Sequence, residues 1–290
     1  MANHPLAMVL ALFSTFGFGA AFVVTDFALR RMPPRLGAAF SIPTSTLSFW
    51  CLTPFLIDPA DVDVEAAGLF AGVGVLFPAA VTLLNFESNR LMGPNIAGAL
   101  GGLAPVFAVP AAVLLLGEQL RILQLCGIAA VVVGVMLMYR GQWQAFAARG
   151  PLLLALPLSA AAIRGLVQPA IKLGLQRWHN PIAAVVIGYT VSSVVLMLAA
   201  LVPGQRFERG FDLRGALGFA AVGLCNGSAV LSMYAALDRG PVTLVAPVVA
   251  AYPLVTLLIS FAVSKRERID APLTAAVTAT VGGVVLLLLG

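Results

Sequence analysis

Long apolar stretches alternate with short polar connectors along the whole chain. Ten stretches of about 20 mostly apolar residues, the length that crosses a bilayer as a helix, can be drawn at 5–29, 35–57, 65–89, 94–116, 121–139, 151–175, 181–203, 214–237, 241–263 and 271–289. The connectors are brief; the longest are 140-RGQWQAFAARG-150 and 204-GQRFERGFDLR-214. No segment is left over for a soluble domain, so the pattern predicts an all-α polytopic membrane protein of ten transmembrane helices.

The pattern is written twice. The segment 30-RRMPP-34 returns in outline as 177-RWHNP-181, and Gly93-Pro94 returns as Gly240-Pro241, both 147 residues later. Pro105 matches Pro253 at an offset of 148, and Glu118 matches Glu267 and Gly134 matches Gly283 at 149. A near-constant offset of half the chain marks two copies of one unit: a first repeat over 1–140, a connector over 141–150 and a second repeat over 151–290. Each copy holds five stretches. Because five is odd, the second copy enters from the opposite face, giving two inverted five-helix repeats, the build of many secondary transporters.

Composition agrees. Sixty per cent of the residues are hydrophobic and 10% charged, where a soluble domain carries about 25% charged residues. The net charge of +5 is no nucleic-acid signal, since the positive residues punctuate span ends. With ten spans, twelve of the 17 Lys and Arg fall on connectors opposite the termini, four on the terminal side, and Arg164 within a span. The positive-inside rule then puts both termini outside the cytoplasm. Cys51, Cys126 and Cys225 all lie in apolar stretches, with no CxxC, and read as small buried hydrophobes. The start, 1-MANHP-5, lacks a positive n-region and a cleavage site, so the first stretch is expected to be a retained span.

Small and kinking residues crowd the spans. Gly68/Gly72 and Gly98/Gly102 form GxxxG pairs, which permit close helix approach. Pro43, Pro78, Pro105, Pro110, Pro157, Pro169, Pro247 and Pro253 fall inside spans. Broken helices are tolerated in lipid only where the freed backbone faces protein or a watery cavity, which predicts a central cavity.

The sixth span is chemically richest. Arg164, Gln168 and Lys172 stand at i, i+4 and i+8 on one face. Facing lipid at mid-span, Arg164 would cost about 2.5–3.5 kcal/mol, so it is expected to face the bundle interior, either as a cationic contact for an anionic substrate group such as a carboxylate or as a structural partner. Lys172, near the span end, is expected to snorkel to solvent. In the third span Pro78, Thr82, Asn85 and Asn89 share a face, with Asn85 and Asn89 read either as ligand contacts or as helix glue. Glu87, roughly on the opposite side from Asn85, reads as a partner for Arg90 or a coupling group. Asp26, one turn from the end of the first span, is a second coupling candidate at the interface. Ser41, Thr44, Ser45 and Ser48 draw a mild polar stripe in the second span. Asn226 and Tyr234 in the eighth span and Tyr252 in the ninth add polar groups.

No nucleophile–base pair, HExxH, Walker loop or dinucleotide fingerprint appears, and His4 and His179 lie near span ends. Catalytic residues, a metal and cofactors are therefore not expected, nor is a primary pump.

The stretch 105-PVFAVPAAVLLLGEQLRILQLCGIAAVVVGVML-137 resembles the pattern of the EamA-like proteins of the drug/metabolite transporter superfamily: proline, apolar run, Gly-Glu, then a glycine-bearing span. Its second copy, 253-PLVTLLISFAVSKRERIDAPLTAAVTATVGGVVLL-287, carries Lys265-Arg266-Glu267 where the pattern has Gly-Glu, and 233-MYAALDRGPVTLVAP-247 resembles the family's Tyr-Ala…Pro junction. Unlike many members, the second span has no early arginine in 36-LGAAFSIPTSTLSFW-50. The resemblance implies a ten-span, five-plus-five exporter of amino acids or other small metabolites, with cytoplasmic termini, contrary to the charge distribution.

The expected function is alternating-access export of an amino-acid-like or other organic solute across a bacterial cytoplasmic membrane, with proton or counter-substrate coupling, by a monomer or homodimer. Its partners are a small molecule and the bilayer, not nucleic acid. A flippase or exporter for lipid-linked or nucleotide-linked head groups is the alternative; a membrane-embedded enzyme built on the acidic run 58-DPADVDVE-65 is more remote.

Overall fold

The computed structural model describes residues 4–58, 61–138, 151–200, 211–264 and 271–289. Expectations about the connectors 140–150 and 204–210 and about Lys265-Arg266-Glu267 lie outside the described residues.

Thirteen helices are present among these residues: α1 (His4–Leu29), α2 (Pro34–Leu56), α3 (Val64–Leu76), α4 (Ala79–Met92), α5 (Pro94–Gly101), α6 (Ala104–Leu116), α7 (Ile122–Met138), α8 (Pro151–Arg177), α9 (Pro181–Ala200), α10 (Leu213–Arg239), α11 (Val242–Val249), α12 (Tyr252–Ser264) and α13 (Ala271–Leu289). They form ten passes, because α3–α4, α5–α6 and α11–α12 are each one broken pass. Seven passes are long and apolar enough to cross a membrane unaided: α1, α3–α4, α5–α6, α8, α9, α10 and α11–α12. Among the described residues the apolar parts of α7 and α13 are shorter, and the serine and threonine stripe of α2 dilutes its hydropathy.

The breaks have local causes. The α3–α4 break is at Pro78, which has no N–H to donate; the Phe77 amide makes the last bond of α3 to Val73, and the Thr82 amide opens α4 by bonding Pro78. The other two breaks are copies of each other. Leu103 N–H donates to the Leu100 carbonyl at 3.1 Å and Val106 N–H to Leu103 at 3.0 Å; 148 residues on, Ala251 donates to Val248 at 3.1 Å and Leu254 to Ala251 at 3.0 Å. Such i to i+3 bonds tighten the chain, and Pro105 and Pro253, each second in the restarting helix, need no donor there. By contrast Pro43, Pro110, Pro157, Pro169 and Pro247 lie within continuous helices.

Helix pairing follows the repeat. α1 packs on α10, and its counterpart α8 on α3 and α4; α2 packs on α10, and its counterpart α9 on α3; α7 and α13 pair with each other. The α1–α10 pair is antiparallel, with Gly240 beside Ala7 and Gly218 beside Ala28. So is α3–α8, where Arg177 reaches Asp63 at 3.7 Å and Glu65 at 2.7 Å. The tightest approaches are at glycines outside the GxxxG pairs. A Cβ at Gly74 would lie 2.7 Å from the Gly188 carbonyl oxygen, and one at Gly134 would lie 2.9 Å from that of Ala276. Gly102 does meet Ala250 and Pro253, but Gly68 and Gly72 have open space beside them: spacing alone does not place a neighbour on that face.

Candidate functional site

Arg164 stands inside the bundle, 4% exposed. Gly165 permits this placement, since its missing side chain lets α8 approach the Ala104 carbonyl of α6, where a Cβ would lie at 2.5 Å. The guanidinium carbon is 4.9 Å from the centre of the Phe18 ring and 5.5 Å from that of Tyr252. Tyr252 opens α12 and is itself stacked on Phe22, with centroids 5.2 Å apart. Contact with aromatic faces contributes about 0.5–2 kcal/mol to holding a cation. It leaves the in-plane N–H donors unserved: Arg164 Nε and Nη1 have no hydrogen-bond partner.

These donors border a narrow cavity. Phe18, Phe22 and Thr25 of α1, Thr82, Asn85 and Asn89 of α4, Pro78 at the break, Tyr189 of α9 and Asn226 of α10 line it. No carboxylate lines it among the described residues. Its free core is about 20 Å³, room for a water molecule and too little for a metabolite. Asn89 Nδ2 donates to the Phe22 carbonyl at 3.0 Å, while its Oδ1 has no partner. The cavity therefore offers guanidinium donors, an unused amide acceptor and aromatic walls.

Of the residues singled out in the sequence, Arg164, Thr82, Asn85 and Asn226 meet at this cavity. Tyr252 backs Arg164, and its Oη lacks a partner. Gln168 is buried one turn along, its Nε2 donating to the Arg164 carbonyl at 3.3 Å and its Oε1 unpaired. Tyr234 is buried, 3% exposed, but does not line the cavity. Asp26 accepts from Arg30 at 2.6 Å in an exposed pair. Glu87 pairs with Arg90 and borders a separate outer cleft of about 510 Å³ with Arg35, Leu83 and Leu156. Both carboxylates thus lie away from Arg164.

Lys172, near the span end, is half-buried, and its Nζ donates to the carbonyls of Leu237 at 2.5 Å and Gly240 at 3.1 Å, which the C-terminus of α10 leaves without intrahelical partners. The sequence reading passed over Phe18 and Tyr189; single aromatics in apolar helices carry no pattern that separates lining from packing.

The EamA-like transporter family matches residues 5–140 and again residues 150–289. No curated protein matches the chain. A solved crystal structure, described only as that of a protein, aligns with 96% of this chain and 97% of its own at 18% identity and a TM-score of 0.69, a likeness of fold. Two matches to one family, one per five-pass repeat around a shared central cavity, make this chain a member of the EamA-like transporter family, a multi-pass membrane transporter.

Proposed function

We propose that the protein is a secondary transporter that moves a small organic solute bearing an anionic group, with Arg164 as the anchor and Asn85, Asn89 and Asn226 as neutral polar contacts. The observation that carries this reading is the pair of unpartnered donors on Arg164, buried beside a cavity free of carboxylates. A buried charge without a partner is strongly destabilising, so a built site of this kind is suited to a charge that arrives with a ligand. Amino-acid-like metabolites and simple carboxylates fit this chemistry better than organic cations. Export across a bacterial cytoplasmic membrane by alternating access, driven by protons or a counter-substrate, completes the proposal.

A thermal-shift screen of the purified protein against amino acids, organic anions and organic cations names the cargo class, and flux in vesicles tests it. Arg164→Ala that folds normally and transports unchanged would overturn the anchor role. The second reading, a flippase for a lipid-linked head group, draws on the outer cleft, where Leu83, Leu84 and Leu156 lie beside Arg35, Glu87 and Arg90. It requires activity on lipid-linked cargo and none on the free solute.

A further inference from the structure

The outer cleft of about 510 Å³ between α2, α4 and α8 is distinct from the cavity at Arg164. One helix divides them: Thr82, Asn85 and Asn89 of α4 line the cavity, and Leu83, Leu84, Glu87 and Arg90 of the same helix line the cleft. The cleft has the volume of a small-ligand site.

Its polarity is layered along the helices. Arg35 is the second residue of α2 and Arg90 stands two residues before the end of α4, so both arginines lie at helix ends. Leu84 and Leu83 lie six and seven residues back along α4, about 10 Å deeper. Leu156 of α8, also on the cleft, lies five residues past the start of its helix. The interfacial layer on either face of a bilayer is about 5–8 Å thick. The cleft thus carries guanidinium groups at headgroup depth and leucines at acyl-chain depth, an order that suits an amphiphile rather than a soluble ion.

Its charge is positive. Glu87, the one carboxylate lining it among the described residues, is taken by Arg90. Arg35 is exposed and makes no ion pair or hydrogen bond among the described residues. α2 begins here with no side-chain cap, so the positive end of its dipole adds to that of Arg35. A guanidinium fork matches the oxygens of a phosphate.

We propose that the cleft is a binding site for an anionic phospholipid, with its phosphate on Arg35 and an acyl chain along Leu83, Leu84 and Leu156. Arg90, shared with Glu87, contributes less than Arg35. The lipid is a resident of this face and not the cargo, so the inference is independent of Arg164 and of the transport cycle.

The test uses the full chain in detergent, titrated with dioctanoylphosphatidylglycerol and followed by its melting temperature. Dioctanoylphosphatidylcholine has the same chains without net charge, and glycerol 3-phosphate has the anion without chains. The expected result is a saturable rise with phosphatidylglycerol alone. Arg35→Gln should weaken the apparent affinity about fivefold, the effect of one arginine beside an anionic lipid surface. Glu87→Gln removes the only carboxylate and should strengthen it by a similar factor, a gain that damage to the fold does not produce. Arg214, also exposed, opens α10 at the same end of the bundle, beside the Arg31–Asp212 pair, and lies outside the cleft; Arg214→Gln should leave the affinity unchanged. No rise, or an equal rise with phosphatidylcholine, overturns the proposal. An equal rise with glycerol 3-phosphate assigns the cleft to a free phosphate and overturns the lipid. A loss in Arg214→Gln as large as that in Arg35→Gln spreads the effect over this end of the bundle and removes the cleft as the site.

Discussion

Thr46 Oγ1 and Ser193 Oγ are 2.8 Å apart, and they are 147 residues apart in sequence, the offset of the repeat. Residues that are each other's copies meet directly only on the axis that exchanges the copies, so this bond marks the pseudo-two-fold between α2 and α9. On either side the bonds come in pairs. Ser45 Oγ donates to the Gly223 carbonyl at 2.7 Å, and its counterpart Ser192 Oγ to that of Gly74 at 2.5 Å. The two repeats are joined here by hydroxyl hydrogen bonds across the axis.

The central bond is testable by a double-mutant cycle. Thr46→Val and Ser193→Ala should each destabilise the protein by about 1 kcal/mol, and the double variant by less than the sum. Reversible unfolding in detergent reads the coupling; strict additivity would place the axis elsewhere.

Gly74 and its counterpart Gly223 should respond alike. A Cβ at either runs into a backbone carbonyl, that of Gly188 or Ser41, and such overpacking costs about 1–3 kcal/mol. Gly68→Ala and Gly72→Ala, with open space beside them, should be neutral or gain up to about 1 kcal/mol from helix propensity. Thermal melts of the four variants decide this.

Arg164 should separate stability from transport. Arg164→Ala removes a buried cation whose Nε and Nη1 have no hydrogen-bond partner, so folding is expected to hold, while flux falls about 30-fold or more, the effect of losing a buried ionic contact worth about 2 kcal/mol. Arg164→Lys keeps the charge but not the planar fork and should also lose most of the flux. Circular dichroism and vesicle flux measured on the same preparations check both halves of the expectation.

The Tyr252 ring lies 5.5 Å from the Arg164 guanidinium carbon, and its hydroxyl makes no hydrogen bond of normal geometry. Tyr252→Phe should therefore change stability by less than about 0.5 kcal/mol, whereas Tyr252→Ala should cost about 3–5 kcal/mol through lost packing and impair transport.

Orientation is open to direct measurement. The crowding of Lys and Arg on connectors opposite the termini leads us to expect both termini outside the cytoplasm. An impermeant thiol reagent applied to intact cells should label Ala2→Cys and leave a cysteine at Gly141 unlabelled; the reverse result would side with the orientation implied by the family.

Much of this architecture is legible in the chain. The apolar stretches predict the passes because backbone amides in lipid must bond within their own segment, and the odd number of stretches per copy predicts inversion. Arg164 is legible as an interior residue because a charge on the lipid face is costly. The GxxxG pairs misled at Gly68 and Gly72 and were nearer the mark at Gly102, because their spacing states only that a face is small.

The sequence by itself thus determined the spans, the duplication and the inward-facing cation, each a property of one segment in a low-dielectric solvent. Only the tertiary structure decided that Phe18 and Tyr252 flank Arg164, that Lys172 meets the carbonyls ending α10, and that Glu118 grips a helix 124 residues away. Those are contacts between segments far apart in the chain. They depend on how two twisted bundles close on each other, which the periodicity of a single helix does not encode.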